Sequence, residues 1–221
     1  MCAQFLLKAQ AHDLERTFGI TLRDPETFFS EPDAQRVLPH QNALVVTAQG
    51  FRVMVFSLTP SWSKERRTKY ATYNARLETL TTKPTWKTPF ETRRCVVPMT
   101  TFIEPAYENE LAGNMVSFHT PENKILCAAG IYDQWVDKES GEVFESFAVI
   151  TTEPYALVTE KTGHDRSPLF LKENSLKDWL DPAPKKSAVL LNLLKEAKQI
   201  PTLSADKDRA MKPGWEKRKK H

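Results

Sequence analysis

Apolar, β-branched and aromatic residues gather in short runs separated by turn formers, which is the pattern of strands. Runs at 43–48 and 51–58 flank Gln49-Gly50 and predict a hairpin. Further strands are predicted at 94–97, 101–103, 115–119, 125–132 and 143–151, with Ser140-Gly141 as a turn before the last. Helical spacing shows toward the C-terminal end. Val189, Leu190, Leu193, Leu194 and Ala197 share one face of a predicted helix over 187–198, with Lys195 and Lys198 in its last turn. Shorter helices are predicted over 175–180, capped by Asn174 or Ser175, and over 154–161. Fifteen prolines favour short elements over long helices. The pattern is that of an α+β chain: a single compact domain over 1–205, mainly β with peripheral helices, followed by a basic tail over 206–221.

Length and composition narrow the class. At 221 residues the chain can bury roughly 70% of its extended surface without staples. The net charge of +3 permits a nucleic-acid partner without requiring one. Cys2, Cys95 and Cys127 are odd in number and form no C-x-x-C pair. A disulfide framework is therefore not expected, and a reducing, cytoplasmic setting is. No stretch is long and apolar enough for a signal peptide or a membrane span. His12, His40, His119, His164 and His221 match no zinc spacing, so no metal and no cofactor are expected. The tail carries Lys207, Arg209, Lys212, Lys217, Arg218, Lys219 and Lys220 around Trp215. It reads either as a solvated terminus or as a phosphate-attracting arm.

Several residues offer chemistry. Removal of Met1 would give Cys2 a free α-amine beside its thiol, two nucleophiles that titrate at about 8 and about 8.5. An aldehyde can condense with such an aminothiol and close a five-membered thiazolidine. Glu104 ends the apolar run Phe102-Ile103, where burial would favour a general acid; it reads equally as an edge glutamate. His164 stands in the polar segment Gly163-His164-Asp165-Arg166-Ser167-Pro168, a site loop or an ordinary capped turn. Asn74 and Arg76 sit two apart, where an amide can orient an oxygen and a guanidinium can bind phosphate.

Taken in order, these segments resemble the SOS-response-associated peptidase-like (SRAP) family. The resemblance rests on Met1-Cys2, Asn74-Ala75-Arg76-Leu77-Glu78-Thr79, Arg93-Arg94-Cys95-Val96-Val97-Pro98 leading to Phe102-Ile103-Glu104, and Gly163 through Pro168. It implies a barrel-like β core and a monomer that senses abasic sites in single-stranded DNA. It also implies a covalent thiazolidine DNA–protein crosslink to Cys2 that shields the lesion. By the same resemblance Glu104 is the acid/base, Asn74 positions the N-terminus or sugar, and His164 assists proton transfer. Arg76, Arg166, Trp62 and Asn74 are then the DNA contacts, and in a bacterium the protein would be nucleoid-associated. The chain departs from the family pattern at Ala3-Gln4, at Pro105 after the glutamate, and at Ser57-Leu58-Thr59-Pro60-Ser61-Trp62, where only the Pro and Trp are kept. Two other readings stand beside it: an N-terminal cysteine hydrolase or peptidase using Cys2 as a thioester nucleophile, and a non-covalent single-strand-binding module.

Overall fold

The computed structural model of the chain describes residues 4–23 and 36–218. Its centre is a closed ring of strands: β3 (Asn42–Thr47), β4 (Gly50–Phe56), β6 (Arg94–Met99), β9 (Leu126–Val136) and β10 (Val143–Thr152). Neighbours pair in the order β10-β4-β3-β6-β9, and a long antiparallel ladder from Val143↔Val136 to Val149↔Gly130 closes β10 onto β9. Only the β10–β4 seam of the ring is parallel. Period-2 alternation then sends side chains to two faces, both buried. Val45, Val97, Ala128 and Phe147 pack on one; Val46, Val96, Ala129 and Ala148 pack on the other. Burial on both faces is why these strands read as unbroken apolar runs in sequence.

The first face is covered by a second sheet ordered β14-β8-β7-β1-β2. Its strands are β1 (Gln4–Leu6), β2 (Arg36–Val37), β7 (Thr101–Pro105), β8 (Asn114–His119) and β14 (Ser204–Ala210), while β12 (Phe170–Leu171) and β13 (Lys198–Gln199) extend the first sheet beyond β9. Phe5, Phe102, Val116 and Phe118 carry the contact, and the Phe102 and Phe118 rings stack at 5.1 Å. The second face is covered by α2 (Pro84–Thr92), α4 (Leu176–Leu180) and α5 (Ser187–Ala197), which bring Trp86, Phe90, Trp179 and Leu190. The remaining α-helices of the described residues are α1 (Ala11–Phe18) and α3 (Ala156–Thr162). Buried Arg94 ties the helical layer to the barrel. Its guanidinium donates to the backbone carbonyls of Trp179, Phe90, Glu91, Asp181 and Ala183, so its charge is met by carbonyl dipoles, with the Asp181 carboxylate adding its attraction.

The fold is the expected one: mainly β, one compact domain, peripheral helices. Details differ. The hairpin turns at Ala48-Gln49, because Gly50 belongs to β4 and pairs with Thr47 while holding φ at 106°. The helix expected to begin with a side-chain cap at 174–175 starts after a 3₁₀ turn over Glu173–Ser175, and Ser175 makes no side-chain cap. Strand β14 runs across the boundary drawn at 205/206. Three of its four charges are engaged: Asp206 with His119, Asp208 with Arg36, and Arg209 with Gln4. Lys219, Lys220 and His221 lie outside the described residues. No helix among the described residues is long and apolar enough to cross a membrane.

Candidate functional site

Glu104 arises from β7, where Phe102, Ile103 and Glu104 are buried in succession between β1 and β8. Its carboxylate is fully shut from solvent (0% exposed). It faces His164, 4% exposed, with Nε2 3.7 Å from Oε2. His164 reaches this place because α3 ends two residues earlier, at Thr162. Gly163 takes the left-handed conformation (φ 71°) and donates its N–H to the Thr159 carbonyl, so the chain leaves the helix and turns inward. The Thr162 hydroxyl donates to the Val158 carbonyl and accepts from the His164 N–H. The Tyr107 ring lies 6.1 Å from the imidazole. Imidazole and carboxylate, 60 positions apart in sequence, thus face each other out of solvent.

The other motifs meet at the end of β10. Thr151 pairs with Arg76 of β5 (Asn74–Arg76) on one side and with Pro168 of β11 (Ser167–Pro168) on the other. Asn74 is 7% exposed, and Arg76 is exposed. Arg166 does not stand free as a phosphate contact; its guanidinium is paired with Glu78 at 2.7 Å. The Arg166 hydrogen bond holds the Glu78 carboxyl below its ordinary range, with the nearby charges of Arg166 and Arg76 adding to it. This ion pair staples the Asn74 motif to the His164 motif, a link with no local sequence signal.

Trp62 stands on a separate loop and is 64% exposed. The loop is fastened from below: the Ser61 N–H donates to the buried Asp133 carboxylate (2.9 Å), itself paired with Arg93, and the Trp135 indole N–H donates to the Ser63 carbonyl. Neither Asp133 nor Trp135 was a sequence candidate; a lone acid among apolar strand residues was the available signal.

Thiol chemistry is restricted. Cys95 and Cys127 are buried and free. Burial pushes the Cys95 thiol far up, and burial with the charge of Glu173 pushes Cys127 up to about 12. Both stay protonated and unreactive near neutral pH. Cys2, the remaining cysteine, lies outside the described residues. Among the described residues no group of three or more His, Cys, Asp or Glu is arranged to hold a metal ion.

Comparison with known proteins bears on this geometry. The abasic site processing protein YoqW of Bacillus subtilis is 28% identical over 186 residues, covering 82% of this chain and 81% of that protein. The abasic site processing protein YoaM of the same organism is 29% identical over 201 residues, covering 88% and 85%. An X-ray crystal structure of a protein from Bacteroides thetaiotaomicron superposes with a TM-score of 0.78 at 26% identity, covering 94% of this chain and 92% of that one. The sequence profile of the SOS response associated peptidase (SRAP) family matches residues 1–207, and the chain belongs to that family.

Proposed function

We propose that the protein processes abasic sites in single-stranded DNA by covalent capture at Cys2. The observation that supports this best is where β1 begins. Gln4 pairs with Ile103, the neighbour of Glu104. Two peptide units separate Cys2 from Gln4, so their Cα atoms lie within about 7.6 Å of one another. So short a tether lets the N-terminal aminothiol act at the buried carboxylate–imidazole pair. The relatives named as abasic site processing proteins support the substrate.

The chemistry balances as a condensation. With Met1 removed, the neutral α-amine of Cys2 adds to the C1′ aldehyde of the ring-opened deoxyribose and forms a carbinolamine. Glu104 acts as general acid, first in opening the sugar ring and then in protonating the departing hydroxyl, which leaves as water. The Cys2 sulfur adds to the imine carbon and its proton passes to nitrogen, closing the thiazolidine with one water lost overall. His164 moves the proton to and from Glu104. Asn74 orients the sugar or the amine. Arg76 and the exposed Trp62 hold phosphate and base. Arg166 reaches phosphate by exchanging it for Glu78.

Intact mass of the full chain, before and after incubation with an abasic single-stranded oligonucleotide, tests the reading. The expected result is a chain without Met1 that gains the oligonucleotide mass less one water, and a Cys2→Ala chain that gains nothing. Retained Met1, or an undiminished adduct in Cys2→Ala, refutes it. Turnover of an amide substrate without an adduct would instead place the chain among hydrolases.

A further inference from the structure

A second concavity shares none of the residues of the Glu104–His164 pair. It is a cleft of about 280 Å³ where the end of β4 meets the 59–68 loop, lined on its polar side by His40, Ser57, Thr59, Arg66, Arg67 and Thr68. No carboxylate lines it. The Arg66 guanidinium is seated over the Phe144 ring at 4.1 Å, which holds the cation in place without neutralising it. Glu142 approaches Arg66 only to 3.9 Å, with both side chains more than half exposed, so that pair is weak. Arg67 has no carboxylate partner among the described residues.

Two further observations point to a ligand-binding role. The Ser57 hydroxyl is buried and has no hydrogen-bond partner among the described residues. An unmet buried hydroxyl costs about 1–3 kcal/mol. Ser57 also holds φ at 128° and His40 holds φ at 71°, both in the region that favours glycine. His40, Asn109 and Asn123 are of types that tolerate it, whereas Ser57 is not, and Ser57 lines this cleft. Strain of the kind Ser57 carries, about 1–3 kcal/mol, persists where the surroundings impose it and gathers at binding sites. Burial and the charge of Arg67 lower the pKa of His40 below its ordinary 6.5. At neutral pH its ring is therefore uncharged, with one N–H to donate.

We propose that this cleft is an oxyanion site for a phosphate group, with Arg67 supplying the charge and Ser57 and His40 donating hydrogen bonds. Arg66 adds field from its seat on Phe144. The cleft is wider than a phosphate ion, so the group arrives attached to a larger molecule. The backbone of a nucleic-acid strand and a small phosphoester present the same chemistry. Assignment to the strand rests on the function proposed above; the phosphate site does not.

The test is titration of the full chain with inorganic phosphate at constant ionic strength, following the His40 imidazole by NMR. Saturable shifts are expected, with the His40 pKa rising as the anion binds, on the order of half a unit to one unit. Arg67→Ala should weaken phosphate about tenfold or more. Ser57→Gly separates ligand binding from fold: it relieves the backbone and should raise the urea midpoint, yet it should weaken phosphate several-fold. Competition by an undamaged single strand, with a salt slope lower by about 1 in Arg67→Ala, identifies the strand as the source. Phosphate binding without competition by the strand identifies a small phosphoester instead, and the site stands. No His40 shift with either probe, or shifts unchanged in Arg67→Ala, overturns the site and leaves capture at Cys2 untouched. Loss of capture with the shifts intact does the reverse.

Discussion

Glu104 matters because of what burial does to a carboxyl beside an imidazole. With Oε2 3.7 Å from Nε2 and both groups out of solvent, any proton Glu104 gives up has a base at hand that water cannot replace. Glu104→Gln keeps the shape and can still donate a hydrogen bond, but it can no longer transfer a proton. Under the proposed reaction it should slow thiazolidine formation about 10²-fold or more. Affinity for an undamaged single strand should stay within about twofold, because Glu104 is enclosed between β1 and β8 and meets no backbone phosphate. Single-turnover adduct formation on a denaturing gel, set beside an equilibrium binding curve, separates the two. Equal adduct rates would remove Glu104 from the proton path. Arg166 teaches the complementary lesson. Its motif marks it as a phosphate ligand, and its side chain is occupied by Glu78, 88 positions away. A sequence motif names a residue type, while its availability depends on what the fold sets beside it.

Among elements, the barrel depends on one missing side chain. Gly130 sits where β9 crosses β6 and β10, and a Cβ there would lie 2.8 Å from Cys95 Sγ, 3.0 Å from Val97 Cγ2 and 3.2 Å from the Ala148 carbonyl oxygen. Gly130→Ala should therefore cost about 1–3 kcal/mol, read as a lower urea midpoint with an unchanged slope. Cys95→Ala, made in the same chain, should recover part of the loss because the two side chains compete for one space. The strands of the ring were legible in sequence because both their faces are apolar. Other elements were hidden for physical reasons. Helix α2 carries Pro89 inside it, which argues against a helix, while Pro84 occupies the first turn, where no N–H is needed. Helix α1 buries only Leu14, so its stripe is too thin to read. Strand β14 is rich in charge and reads as a solvated tail. It becomes a strand because β8 offers it a ladder and because Asp206, Asp208 and Arg209 find partners on other elements. The candidate site was legible only as an ordered set of motifs. Each segment alone fits a turn, a cap or a surface charge, and the approach of Glu104 to His164 is a product of packing.

Across the whole molecule, the last strand closes the second sheet, and its hold on the rest changes with pH. Leu203 and Ala205 pack against the main core while β14 lies along β8. At the start of that ladder Ser204 pairs with His119, and His119 Nε2 meets Asp206 Oδ2 at 2.7 Å while Nδ1 meets the Thr120 carbonyl at 2.8 Å. Only the protonated imidazole donates to both acceptors at once. The Asp206 hydrogen bond raises the His119 pKa, burial opposes it, and the Thr120 carbonyl adds to the rise. A group whose pKa is higher folded than unfolded contributes stability that is complete below the unfolded value, near 6.5, and fades as pH climbs through the folded value. Asp206 is 70% exposed, so screening keeps the effect below about 1 kcal/mol. The expected outcome is local: amide protection factors for β14, corrected for intrinsic exchange, should be higher at pH 5.5 than at pH 8, while those of β9 in the barrel stay level. Asp206→Asn should flatten the β14 profile by removing the charge that favours the imidazolium. A profile already flat in the unaltered chain would show that the strand is held by its ladder and its apolar contacts alone, with His119 a bystander, and a profile that stays steep in Asp206→Asn would assign the dependence to another titrating group.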